Sequence, residues 1–327
     1  IFHSYNLFKK NLKKLRNYKK FSGAISGGPD SMALAFFLKC YEIEQRKKIY
    51  FYHIDHRLRE SSKFEATKLK KKLKFFGINL KIIRWYKKKF KQGNLQSNAR
   101  SNRYRLLFQQ MEKDKSELIL TGHTRNDLIE NFFIRIFRGS GLGGFVSFNE
   151  LNTKIAGKNI FRPFLDIKKS ELEFISSQVF GSYIVDPTNK NIIFRRTKVR
   201  NMIEEFSDEG LNLAKISLTI NNLSEANRAI KYYVDQNIKK NVTRTHKKNF
   251  LILNPLFFEN PIEISLRSLL KILSRLGEKY YPPRGKKVLK IIEEILNQNF
   301  NKTTLHGCII EQFGNLTLIY RENEKKI

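Results

Sequence analysis

Six consecutive residues, Ser26-Gly27-Gly28-Pro29-Asp30-Ser31, have the types and spacing needed to hold a phosphate. Paired glycines let the backbone approach an anion closely. A helix start supplies outward amides, and the Ser26 and Ser31 hydroxyls add donors. Asp30 would repel a phosphate unless a Mg²⁺ stood between them, and carboxylates do meet triphosphates through that ion. Asp30 is thus the candidate metal ligand and a candidate catalytic residue. The run is neither G-x-x-x-x-G-K-[ST] nor G-x-G-x-x-G, which disfavours ordinary P-loop and dinucleotide folds. The plain alternative, a Gly/Asp turn with a helix cap, fits the flanking strand and helix less well.

Other candidates lie at similar places. His53 and Asp55 flank a strand end, where His53 serves equally well as a sheet cap or a ligand group. His123 closes another strand. Asp127 and Glu130 are three residues apart near a helix start, so they share one helical face. Arg100, Arg103 and Arg105 form a basic helical stretch, read either as an RNA contact or as a solvated face.

These residues need a frame. Strands are expected at 21–26, 48–55, 80–85 and 117–123, and helices at 30–41, 64–76, 95–113 and 127–138. The alternation predicts an α/β, doubly wound parallel sheet, with ligands beyond the carboxyl ends of its strands. The segments SGGPDS, HIDH and GHTRND all fall there. After Gly210 the character changes. Leu213, Ile216, Ile220, Leu223 and Ile230 make a core-facing stripe on a long helix that reaches about Lys239. A strand (FLILN), helices at 261–276 and 286–298 and a hairpin at 305–320 follow. The expected domains are 1–209 and a smaller α+β domain, 210–327.

SGGPDS resembles the SGGxDS loop of ATP pyrophosphatases, and further blocks are similar to those of tRNA(Ile)-lysidine synthetases. These are His53-Ile54-Asp55-His56-Arg57-Leu58-Arg59 with Ser62 and Glu65-Ala66; Asn94-Leu95-Gln96 with Ala99-Arg100 and Arg103-Tyr104; and Thr121-Gly122-His123 with Asp127, Glu130 and Arg138-Gly139-Ser140-Gly141. Arg162-Pro163-Phe164-Leu165 and Asp186-Pro187-Thr188-Asn189, with Phe194, Arg196 and Arg200, complete the set. Asn126, Asn131 and Thr197 depart from the family pattern around the substrate pocket.

The resemblance implies a reaction with ATP and Mg²⁺ in which the wobble cytidine of an isoleucine tRNA with a CAU anticodon is adenylated and then joined to L-lysine. It implies ATP contacts from Ser26 to Ser31 and from Asp55. It implies catalytic roles for Asp30, Arg196 and Arg200, with the arginines toward the phosphate. His123, Asp127 and Glu130 would bind lysine, the two acids receiving ammonium groups, and Arg100, Arg103 and Arg105 would bind tRNA.

The composition agrees with an anionic partner. Lys and Arg number 63 against 30 Asp and Glu, a net charge of +33. An AT-rich genome would also inflate Lys, so position matters more than the sum. From Lys81 to Met111 nine basic residues and no acid are interleaved with Trp85, Tyr86, Phe90 and Tyr104, a mixture suited to phosphate contact and base stacking. Cys40 and Cys308 offer neither a disulfide framework nor a CxxC metal site, so a reducing compartment is expected: the cytoplasm, ahead of a plastid stroma. The opening IFHSYNLFKKNLKKL is read as a basic helix. No membrane partner is expected, and a homodimer is admitted as an assembly.

Overall fold

The computed structural model describes residues 1–15, 17–55, 57, 62–85, 95–148, 152–155, 158–184, 195–245, 249–277 and 283–322; for 14, 95–101, 152–155 and 195 only the backbone is described. Chain contacts divide it into two units, Ile1–Ser224 and Glu225–Ile327.

In the first unit β1 (Phe21–Ala24), β2 (Ile49–Asp55), β3 (Leu80–Arg84), β4 (Leu118–Thr121) and β6 (Lys158–Phe161) run parallel in the order β3-β2-β1-β4-β6, and β5 (Asn152–Ile155) adds an antiparallel edge. Period-two alternation gives the sheet two apolar faces. Ile49, Phe51, Leu118 and Leu120 enter one core, with residues of α1 (Phe2–Leu12), α2 (Pro29–Gln45), α3 (Ser62–Phe75) and α7 (Lys169–Phe180). Their neighbours Tyr52, Ile54 and Ile119 enter a second core, against Tyr104, Leu107, Phe108 and Met111 of α4 (Leu95–Lys113). A third core joins α5 (Arg125–Ile136), α8 (Arg195–Asp208) and the start of α9 (Leu213–Asn241) through Leu128, Ile129, Val199, Ile203 and Ile220, beside the short α6 (Leu142–Phe145). The parallel α/β architecture is the expected one. The strand order reverses between β1 and β4, and a crevice at the carboxyl ends of these two strands follows from the topology.

The long helix appears at the expected place as α9, and the division between units falls within it. In the second unit β7 (Val242–Arg244), β8 (Phe250–Leu253), β9 (Lys302–Leu305), β10 (Cys308–Phe313) and β11 (Leu316–Arg321) form an antiparallel sheet, order β7-β8-β11-β10-β9. α10 (Ile262–Leu276) and α11 (Gly285–Leu296) carry Leu269, Ile272, Leu273, Val288 and Ile292 at helical spacing into one core with Leu253, Ile310 and Ile319. The expected hairpin is a three-stranded meander, because β9 pairs with β10 through Lys302–Leu305.

Candidate functional site

The SGGPDS loop leaves β1 at the switch point. Gly27 takes φ +97°, which a side chain would strain, and a Cβ there would meet Ile184 Cδ1 at 2.6 Å. The Ser31 hydroxyl holds the loop together. It accepts from the amides of Ser26 and Gly27 at 3.1 and 3.0 Å and from Ser26 Oγ at 3.0 Å, and it donates to the Gly28 carbonyl at 2.9 Å. α2 begins at Pro29, and no side chain caps its Gly28 N-cap, so its dipole and first-turn amides face the crevice uncapped. Ser176 of α7 donates to the Pro29 carbonyl at 2.5 Å and anchors that start.

Asp30 stands in the first turn. Its Oδ1 is buried with no hydrogen-bond partner, and its pKa is pushed up to about 7, first by desolvation and then by the nearby Asp127 charge. A buried carboxylate oxygen left unpaired is where a cation fits, and Mg²⁺ needs only one or two protein carboxylates besides phosphate oxygens. Among the described residues no group of three His, Cys, Asp or Glu forms a closed metal cage.

The β4 loop closes the other side. Gly122 lies so near that a Cβ would sit 2.9 Å from the Asp30 carbonyl oxygen. His123 Nδ1 pairs with Thr121 Oγ1 at 2.8 Å. Its ring meets the edge of Phe148 at 4.9 Å, and the buried Arg162 guanidinium lies 4.4 Å over that same Phe148. α5 starts on a reciprocal cap: Asp127 Oδ2 accepts from the Thr124 amide and hydroxyl at 2.9 and 3.0 Å. Asp127 Oδ1 accepts from Arg196 Nη2 at 2.5 Å. Glu130, its side chain 6% exposed, accepts from Arg196 Nε at 2.6 Å and Arg200 Nε at 2.8 Å. Both acids are therefore held by guanidiniums contributed by α8.

Of the other expected site residues, His53 gives Nδ1 to the Ile25 carbonyl at 2.8 Å, so it caps the sheet end, and burial lowers its pKa. Asp55 accepts from the Arg57 amide at 3.0 Å and ties down its own loop. The aromatic partners expected in the basic stretch are corrected in part. Trp85 and Tyr104 are buried, 2% and 3% exposed, because Tyr104 is on the sheet side of α4. They pack and do not stack on bases. Arg105 is exposed and donates to Asn102, and Arg103 lies over Tyr104. The Arg100 side chain, Tyr86, Phe90, His56, Arg59 and 185–194 lie outside the described residues.

Residues 3–206 match the model of a family described as the PP-loop domain. A tRNA(Ile)-lysidine synthase of Wolbachia pipientis wMel is 30% identical over 92% of this chain and 70% of its own length. The chain belongs to this family. The tRNA(Ile)-lysidine synthase of Orientia tsutsugamushi is also 30% identical, over 93% of this chain and 70% of its own length. Among solved structures, the U34-tRNA thiolase NcsA of Methanococcus maripaludis with its [4Fe-4S] cluster aligns at TM-score 0.54 and 16% identity, covering 67% of this chain and 78% of that one. That likeness concerns the fold; this lysidine synthase family member has only Cys40 and Cys308. No described helix is long and apolar enough to cross a membrane.

Proposed function

We propose that this chain uses ATP to join lysine to carbon 2 of the wobble cytidine of an isoleucine tRNA with a CAU anticodon. The observation that carries this reading is the convergence at the switch point. An uncapped helix start with an unpaired buried carboxylate faces the β4 loop, where two carboxylates hold two arginines. Family membership supplies the substrate class.

In the first step the cytidine carbonyl oxygen attacks the α-phosphate of ATP, and pyrophosphate leaves. The α2 amides, in the loop that the Ser26 and Ser31 hydroxyls hold together, receive phosphate oxygens, and Asp30 would hold Mg²⁺, which would offset charge on the departing pyrophosphate. Arg196 and Arg200 are aimed by Glu130 and stabilise charge growing at the phosphorus. In the second step the lysine side-chain amine attacks carbon 2 and AMP leaves with the C–O bond pair. That amine must first lose a proton, which Asp127 or His123 is placed to take. Glu130 faces two guanidiniums and is 6% exposed, whereas Asp127 faces one and is 22% exposed, so the ammonium is assigned to Asp127 and to His123. Residues 1–209 are assigned the chemistry and 210–327 the grip on tRNA.

The test is incubation with ATP, labelled lysine and a panel of tRNA transcripts. Label should enter the CAU isoleucine tRNA alone, with one pyrophosphate per lysine. Pyrophosphate release that ignores tRNA, or label on no transcript, would overturn the proposal.

Glu130→Gln gives a narrower check. The amide keeps one acceptor, so one arginine loses a charge-assisted bond of at least about 1.5 kcal/mol. Adenylation measured without lysine should fall roughly tenfold, with the lysine requirement unchanged. A raised lysine requirement with normal adenylation would return Glu130 to the ammonium site.

A further inference from the structure

α3 turns one face to the sheet and leaves the opposite one bare. Ala66, Leu69 and Leu73 are buried. On the far side Phe64, Lys68, Lys71 and Phe75 follow at spacings of four, three and four residues, which sets them in one stripe along the helix. Phe64 is 72% exposed and Phe75 87%, and neither Lys68 nor Lys71 makes a hydrogen bond or ion pair among the described residues. Some surface lysines find acids, as Lys9, Lys39, Lys81 and Lys158 do, and others among the described residues do not. α3 contains six lysines and a single acid, Glu65. Two exposed phenylalanines frame lysines that no described acid neutralises, a charge that an anionic partner would complement.

We propose that this α3 stripe is a docking surface for the RNA strand around the reacting cytidine. Lys68 and Lys71 take backbone phosphates, and Phe64 and Phe75 take the faces of unpaired bases. The inference rests on the proposed function and names where that substrate lies. Three observations favour RNA. The charge is complementary to phosphate. Phenylalanines flanking lysines are the makings of a stacking platform for single strands. The helix also starts at the site's end of the sheet: α3 follows β2, so Phe64 in its first turn lies toward the carboxyl ends of the strands, while Leu69 on the buried face meets Gly27 and the stripe itself faces away from it. A lipid surface fits less well. The apolar face of α3 is spent on the sheet, and the two phenylalanines stand about 16 Å apart with lysines between them, so no continuous apolar stripe remains to insert. A second copy would bring like charge against like.

The experiment compares tRNA binding by the wild-type chain, the Lys68→Gln/Lys71→Gln variant and Phe64→Ala over a range of salt. All four positions face solvent, so melting temperatures should match, and ATP binding in the absence of tRNA should be unchanged. The double lysine variant should flatten the log–log salt slope by about 1.4 to 1.8, at 0.7 to 0.9 per phosphate contact. Phe64→Ala should weaken binding about five- to a hundredfold, the range for one stacked base. Wild-type affinity and slope in both variants would overturn the α3 proposal while leaving lysidine formation standing. Wild-type chain that ignores tRNA but binds anionic phospholipid vesicles through Lys68 and Lys71 would overturn both, in favour of a membrane surface.

Discussion

Asp30→Asn is expected to abolish pyrophosphate release and, above neutral pH, to make the protein more stable. The first effect follows from losing the carboxylate whose Oδ1 is buried without a partner, the place a Mg²⁺ would fill. The second follows from linkage. The folded-state pKa of about 7 lies above the ordinary 3.8, with burial the main cause. The folded protein therefore holds this proton more tightly than the unfolded chain. Stability is fullest below the unfolded pKa and is lost as pH rises toward 7, where a buried charge must be carried. Three units at 1.36 kcal/mol each set a ceiling of about 4 kcal/mol, and partial solvent access lowers this to roughly 1–3 kcal/mol. Asparagine carries no charge and escapes the cost. In metal-free buffer the melting temperatures of mutant and wild type should coincide near pH 4 and separate by pH 8, the mutant higher; Mg²⁺ with ATP should raise only the wild type. Pyrophosphate release by the mutant, or coincident melting at pH 8, would remove Asp30 from this role.

Gly122→Ala should cost on the order of a hundredfold in kcat/KM, although position 122 contributes no functional group. The added Cβ would lie 2.9 Å from the Asp30 carbonyl oxygen, 3.0 Å from its carbon and 3.1 Å from the Ser31 amide. All three are backbone atoms at a helix start, and none can rotate aside. Relief requires the loop bearing His123 to withdraw from the loop bearing Asp30, and misplacement of reacting groups by about 1 Å carries penalties of this size. Overpacking should also reduce stability by about 1–3 kcal/mol. Steady-state kinetics with calorimetry decide the matter; unchanged kcat/KM would show that the two loops need not stay in register.

The sheet and the phosphate loop were legible because each depends on local pattern. Four strands with intervening helices, and SGGPDS between the first pair, lie within spans a periodicity can reach. The fifth parallel strand and its β5 partner were not read, since Lys158–Phe161 is short and mixed in character. The pairing of Glu130 with Arg196 and Arg200 joins residues 66 and 70 positions apart, and no spacing rule spans that distance. Nor does anything in the sequence mark Phe148 as the ring between His123 and Arg162. Tyr104 shows the converse error: a basic neighbourhood suggested stacking on RNA, but residues three and four apart with it, Leu107 and Phe108, place it on the buried side of α4.

Asp127 answers to two masters. One oxygen caps the start of α5, and the other holds the Arg196 guanidinium. Asparagine offers a single acceptor and a donor, so it satisfies the helix or the arginine, and its NH₂ would oppose whichever it abandons. Alanine fails both. Asp127 is the third helical residue after the Thr124 cap, and an exchange for asparagine that the helix alone would tolerate is therefore denied to this position. Drift here has no neutral step to take while both bonds are needed; a lineage that lost the chemistry would need only the helix bond, which asparagine also makes.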